Sequence, residues 1–477
     1  MKYNKFFLIL CFFLIPGIFK AIHGQNSFIR DDSIDFVVID KITFEGNKIT
    51  KERIIFRELL FREGDTIAIG RIEQLTEQSR KNLMNTSLFN FVTIHLNQAD
   101  TFSPRIDVLI EFIERWYIWP VPIIELADRN FNEWLEKMNF KRVNYGMYLT
   151  WNNFRGRRER LVLYSRFGYD ERYNLGYQIP YINRKQTLGL GFAGGFSRNH
   201  EIAYNSIENK EVYYRSETDY PRTVYFGYSE ISYRKGIHNM HRGLLGFTDL
   251  RLTDTVLELN PDFAFGGSTR NQFMTVFYQF RSDFRDLRQY PLKGHYFDIE
   301  VDKKGIGLFS EPIVNSLYLK SNLRAYSNLK NRFYWASGLT GKTSLFWDQP
   351  YYYLQGLGYG RDFVRGYEFY VIDGQHYGLL KNNLKFELIP NSVAALNFIP
   401  TEKFNKLYYA VYLNLFTDLG YVFDSRNIST NPLANEILVG YGIGLDLVTY
   451  YDFVLRVEYS INRRGESGFF FHFMPSI

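Results

Sequence analysis

The residues best equipped for chemistry are an arginine and two carboxylates far along the chain. Arg365 lies in RDFVRGYEFY, Arg361 to Tyr370, where a cation and a glycine interrupt a run of aromatics. An arginine in apolar company is costly unless something pairs it. In the following LLKNNLKFELIP, Leu384, Phe386 and Leu388 alternate on one face, which turns Glu387 to the other. In LYYAVYLNLFTDLGYVF, Val411, Leu413 and Leu415 share a face, leaving Tyr412, Asn414, Phe416 and Asp418 opposite. A guanidinium has five donors in a planar fork, so it can hold one carboxylate bidentately and share another; lysine has the charge without that geometry. Gly366 permits a sharp turn beside the arginine. Phe363, Tyr367, Phe369 and Tyr370 could pack against a wall and keep water out, strengthening the pair. The chemistry on offer is the anchoring of a loop, a structural and gating role. Residue physics alone leaves open a solvated loop with an unrelated arginine.

Other motifs carry less. GLGFAG, Gly189 to Gly194, matches the spacing of a dinucleotide fingerprint, but no helix opens at its end, so alternate glycines on one face of a strand are the better reading. GYGIG, Gly440 to Gly444, is read the same way. His238 and His241 have a spacing of three, yet they fall at a turn between strands without an acidic or cysteine partner. The sequence contains no G-x-S-x-G, Walker A or H-E-x-x-H motif, and nothing marks two carboxylates as an acid/base couple. No enzymatic activity, catalytic residue, metal site or cofactor is expected.

The elements that must position Arg365 have a period of two. From Val143 to the end, strands of about ten residues follow one another with Gly, Asn, Asp and Arg turns and no helical pattern between them. In VNYGMYLTW, Val143, Tyr145, Met147, Leu149 and Trp151 share a face. In FVLRVEY, Phe453, Leu455, Val457 and Tyr459 oppose Arg456 and Glu458, and in GFFFHF, Phe469, Phe471 and Phe473 oppose Phe470 and His472. A soluble sandwich also alternates, but rarely over so many strands with so aromatic an apolar face. Aromatics make up 18% of the 477 residues, with 44 Phe, 37 Tyr and 6 Trp, while mean hydropathy is only −0.26. A transmembrane β-barrel of about sixteen antiparallel strands explains both, with a lipid-facing exterior and a polar lumen. Its boundaries are read as 143–477. No later segment offers enough consecutive apolar residues for a helical span.

Before the barrel, residues 36–115 read as a small α+β domain of strand, two helices and two strands. Thr50 is expected to N-cap the first helix, KERIIFRELL, and Ile69, Ile72, Leu75 and Leu83 sit at helical spacing in the second. Residues 116–142 are read as a linker. At the N-terminus, Lys2 and Lys5 precede an apolar run from Phe6 to Phe19 that suits a secretory signal, residues 1–24. The single cysteine, Cys11, belongs to that run, which leaves no disulfide framework. A net charge of +6 with scattered basic residues argues against nucleic-acid binding.

With these residues in place the chain resembles a known family. Val364-Arg365-Gly366-Tyr367, then Asn383 with Glu387, then Phe416, Asp418 and Gly420 look like the V-R-G-Y, N-x-x-x-E and F-x-D-x-G signatures of the outer-membrane assembly and translocation barrels related to BamA, TamA and the two-partner secretion transporters. The N-terminal domain is similar to that family's POTRA module, with Gly46, Asn47, Thr50, Gly64 and Asp65 as its framework, and GFFFHF resembles its C-terminal recognition strand. A single POTRA domain resembles compact members of the surface antigen superfamily in the Bacteroidota. The resemblance implies a lumen loop whose Arg365 meets Glu387 and Asp418. It also implies a Gram-negative outer-membrane location with the POTRA domain in the periplasm. Its implied function is insertion or translocation of client proteins captured by that domain. Partners would be outer-membrane lipids, unfolded or exported clients and accessory assembly proteins. A passive solute pore with an accessory periplasmic domain is the alternative.

Overall fold

The computed structural model describes residues 36–98, 104–126, 143–306, 313–396, 398–401, 403–426, 429–449, 453–473 and 477. The expected signal segment lies outside them.

The N-terminal domain runs β1 (Phe36–Glu45), α1 (Glu52–Phe56), β2 (Thr66–Ala68), α2 (Ile69–Met84), β3 (Phe89–Gln98) and β4 (Arg105–Glu114). Its sheet has the order β2-β1-β4-β3, with β1 parallel to β4. Alternation on β4 buries Ile106, Val108, Ile110 and Phe112 against Ile54, Ile55 and Leu83 of the helices. Gly46 has φ +88° and a Cβ there would lie 2.1 Å from the Phe112 carbonyl oxygen, so the turn after β1 requires glycine. Thr50 is not the expected cap: α1 starts after Lys51 and spans only Glu52–Phe56. Buried Thr50 instead donates its backbone N–H to Glu114 at 2.7 Å and accepts from Asn153 of the barrel at 2.8 Å.

A second sheet of sixteen strands forms the barrel. Its order runs from β5 (Ile118–Leu126), through β6 (Val143–Phe154), to β23 (Val454–Asn462) and β24 (Ser467–His472), every neighbouring pair antiparallel. The intervening strands used below are β12 (Arg222–Lys235), β13 (Asn239–Leu252), β14 (Arg270–Asp283), β15 (Gly294–Lys304), β16 (Ser316–Lys330), β17 (Phe333–Ser344), β20 (His376–Ala395), β21 (Lys406–Phe423) and β22 (Ile437–Thr449). Register makes the inversion explicit. One row across β16 to β23 holds Arg324, Gly338, Lys381, Asp418, Gly440 and Asn462, all facing in. The adjacent row, one residue along each strand, holds Leu323, Leu339, Leu380, Leu419 and Val439, facing out. Such a surface suits lipid on one side and a polar lumen on the other.

The expected linker contains the first barrel strand. Ile118–Leu126 pairs with β6 from Ile118↔Trp151 to Leu126↔Val143. Pro120 and Pro122 hid it, since proline argues against an interior strand. On an edge strand it is tolerated, with the missing N–H directed away from β6. β5 and β24 therefore end the sheet, and among the described residues no pairing joins them.

The N-terminal domain docks on the proximal turns, those at its own end of the barrel. Glu58 receives both Nη atoms of Arg234 at 2.6 and 2.9 Å, with Arg158 at 3.8 Å. Arg57 donates to the carbonyls of Gln186 and Gly236, and Lys51 N–H to that of Gly156. Burial alone would raise the Glu58 carboxyl; the charge and hydrogen bonds of Arg234, with Arg158 and Arg57 behind, hold it below its ordinary value.

Candidate functional site

Between β17 and β20 the chain leaves the sheet for residues 345–375 and folds into the lumen. Val364 and Tyr367 are buried there with Leu357, Ile372, Val422 and Leu438. Tyr367 N–H returns to the Val364 carbonyl, closing a tight turn around Arg365 and Gly366, whose φ is +91°.

Arg365 is wholly buried, and its donors are engaged. Its backbone N–H and Nε reach Asp418 Oδ2 at 3.1 and 2.8 Å, and Nη2 reaches Oδ1 at 2.5 Å. Nη1 donates to Glu458 Oε1 at 3.2 Å and Nη2 to Asn383 Oδ1 at 2.8 Å. The guanidinium lies 3.8 Å from the centroid of the Phe416 ring, a close cation–π contact. Arg456 meets the same Glu458 oxygen at 2.9 Å, and buried Lys381 is the register partner of Asp418, so the cluster is a network of several charges. A buried pair of this kind is stable as a set, and removing one member strands the others.

The spacing F-x-D-x-G now has a physical meaning. Phe416, Asp418 and Gly420 face inward from one strand. Phe416 carries the cation and Asp418 neutralises it. Gly420 leaves room, since a Cβ there would lie 2.4 Å from Val364 Cγ2. Gly440, from the GYGIG stretch, lies still closer: its Cβ would fall 1.7 Å from the Arg365 carbonyl oxygen.

Two expectations need correction. Glu387 does not meet Arg365; its carboxylate contacts the Tyr412 hydroxyl at 3.4 Å. The guanidinium sits over Phe416, whose register row is Asn383, Gly442 and Ser460. Glu387 is four residues from that row and Glu458 two, roughly 13 and 7 Å along their strands. Alternation had already turned Glu458 inward with Arg456, so its signal was present without its height. Phe369 is also not packed on the wall, being 76% exposed, with its ring 5.5 Å from that of Phe470.

The lumen loop has further attachments. Asn462 donates to the Gly366 carbonyl at 2.8 Å, and Phe363 stacks on His472 of β24 with centroids 5.5 Å apart. At the distal end a separate hairpin, β10 (Glu201–Ile207) and β11 (Lys210–Arg215), presents Asn209, which donates to the Val371 carbonyl and accepts from Leu433 N–H. On β24 itself Phe469, Phe471 and Phe473 are exposed on the outer face, while Phe470 and His472 are half-buried. His238 and His241 are separated: His238 stacks on Phe284 in the turn, whereas His241 belongs to β13 and contacts the Tyr278 hydroxyl.

Residues 37–115 match the family model for POTRA, described as the surface antigen variable number repeat. The chain is similar in structure to BamA from Haemophilus ducreyi lacking POTRA domains 1–3, at 15% identity over 91% of this chain and 84% of that one, with a TM-score of 0.50. It is also similar to CdiB from Escherichia coli, at 15% identity over 91% of this chain and 75% of that one, with a TM-score of 0.55. The search of curated proteins finds no match. The shared feature is the fold, a POTRA domain leading into an outer-membrane type of β-barrel.

Proposed function

We propose that the protein is an outer-membrane barrel that inserts or translocates client proteins, with its POTRA domain in the periplasm. The observation that carries this reading is the loop of residues 345–375, held in the lumen by Arg365. A passive pore needs an open channel, whereas this lumen is occupied by a built-in segment fixed at several points. Its attachments include the last strand, through Phe363 and His472.

In this reading the POTRA sheet supplies an edge. β3 is the outer strand of its sheet and is long enough to pair with an extended client by β-augmentation. The client then reaches the seam between β5 and β24. Pro120 and Pro122 remove two donors from the β5 edge, which keeps the seam short of ladder bonds. A cavity of 520 Å³ opens beside it, lined by Trp116, Trp119, Arg158, Arg160 and Phe453 among others. Arg365, Asp418 and Glu458 hold the loop that shapes this path and perform no bond chemistry.

The test is a photo-crosslinking residue at exposed Thr93 on β3, in living cells. Crosslinks to outer-membrane or exported proteins are expected, together with loss of those proteins from the outer membrane or medium when residues 36–115 are deleted. Absence of such crosslinks, with unimpaired solute flux in the deletion, would establish the pore instead.

A further inference from the structure

The short proximal turns 155–158, 236–238 and 331–332 are what strand reversal needs. Residues 284–293, between β14 and β15, are much longer, as are 180–187 and 396–405, and in 284–293 the surplus folds inward. Tyr290 is 4% exposed, although it belongs to a turn. Its ring stacks on Tyr412 of β21 with centroids 4.7 Å apart, and its hydroxyl donates to Asp446 of β22 at 2.6 Å. Lys385 of β20 places Nζ 3.9 Å from the Tyr290 ring centroid. Gln289 donates to the Thr449 carbonyl at the end of β22. β20, β21 and β22 stand three, four and five strand spacings from β15, so these partners lie about 14, 19 and 24 Å away along the wall. The segment folds inward over this wall, with Leu292 and Tyr334 of β17 packed beside Tyr290 and Tyr412.

The same turn is held from outside by the POTRA domain. Asn85, which ends α2, donates to the Asp286 carbonyl at 3.0 Å and accepts from Arg288 N–H at 2.9 Å. Asp286 also closes the turn, accepting N–H bonds from Leu287 and Leu292. One segment therefore touches the POTRA helix at its base and the inner faces of β20, β21 and β22 at its tip. None of its residues bonds Arg365, although its socket adjoins that cluster, Asp446 being the register partner of Arg456; the segment enters from the proximal end, whereas the 345–375 loop enters from the distal one.

We infer that residues 284–293 form a second lumen plug, with Tyr290 as its bolt, and that the POTRA domain sets its position through Asn85. A displacement of the domain would draw on Asp286 and Arg288 and withdraw the tyrosine. Lys385, Asp446 and Tyr412 form the socket: an aromatic wall, a cation over the ring and an acceptor for the hydroxyl. Closure by this plug would hold whether or not clients pass through the barrel, since it needs no client.

The full-length protein in planar bilayers, without client, provides the test. Tyr290→Ala should raise mean conductance several-fold over wild type. Tyr290→Phe, which keeps the stack and loses the Asp446 bond, should give a smaller rise, and Asn85→Ala, outside the lumen, should also raise it. Wild-type conductance in Tyr290→Ala overturns the plug; wild-type conductance in Asn85→Ala alone overturns the link to the POTRA domain. If Tyr290→Ala does not fold, Gln289→Cys with Thr449→Cys replaces it, joined by a short thiol-reactive crosslinker. Efficient crosslinking that falls when Asn85→Ala is added supports the inference. Failure to crosslink, or yield indifferent to Asn85→Ala, refutes the plug or its coupling respectively.

Discussion

Two arginine–carboxylate anchorages hold this molecule together, and they differ in what surrounds them. In the lumen, Arg365 and Asp418 are both fully buried, with Glu458, Asn383 and the Phe416 ring completing the cage. At the joint between the domains, Glu58 is as deeply buried, but its partners Arg234 and Arg158 keep 13% and 23% of their side-chain surface in solvent. The first cage is walled by a single sheet and belongs to the barrel itself. The second lies between the N-terminal domain and the barrel turns, beside a core that Tyr181 and Trp151 of the barrel join, and Arg234 also has the Tyr181 hydroxyl and the Ile237 carbonyl to donate to. The same pair of residue types thus sits fully enclosed in one place and partly open to solvent in the other. What decides is whether water can replace the partner.

The largest expected effect breaks the lumen pin. Arg365→Ala leaves Asp418 buried without its guanidinium and Glu458 with only Arg456 of its two arginines, at a cost of about 3–5 kcal/mol. Heat-modifiable mobility of the barrel on gels should be lost, and Asp418→Ala combined with Glu458→Ala should resemble it. Wild-type mobility in the arginine variant would show that the pin is dispensable. Gly440→Ala comes next, because its Cβ would meet the Arg365 backbone rather than a side chain that can turn. Overpacking of roughly 1–3 kcal/mol is expected, read as a lowered unfolding midpoint with both charges intact.

The joint should be weaker. Glu58→Ala should cost about 1–3 kcal/mol of docking, leaving the barrel folded. Limited proteolysis would show the POTRA domain released while barrel mobility stays unchanged; loss of both would erase the distinction drawn between the two anchorages. The joint should also respond to acid. Because the Glu58 carboxyl is held below its ordinary value of 4.5, its contribution is complete above about that pH and is lost as pH falls through the depressed value. Protease sensitivity of the domain should rise only in that acid range. The smallest effect belongs to Glu387→Ala, within about 0.5 kcal/mol, since Glu387 faces the lumen without touching Arg365. A loss matching that of Asp418→Ala would restore it as a partner.

Much of this was legible in the residues. Period-two alternation assigned Asp418, Phe416, Glu458 and the glycines of GYGIG to their correct faces, because successive side chains on a strand must point oppositely. Outward Phe469, Phe471 and Phe473 followed from the same rule. The α+β pattern of residues 36–115 announces a separate domain, although the Thr50 hydroxyl serves Asn153 rather than capping a helix. β5 escaped notice because prolines mask a strand unless its edge position is known.

By itself, then, the sequence determined the strand faces, the inverted barrel, the N-terminal domain and the arginine that needed a partner. Those properties depend on neighbours along the chain, where geometry is set by the backbone period. Only the tertiary structure decided that Glu458 rather than Glu387 completes the cage, that β5 ends the sheet, and that Tyr290 packs against β20, β21 and β22. Those depend on the stagger between strands and on how the sheet curves. No local period encodes either.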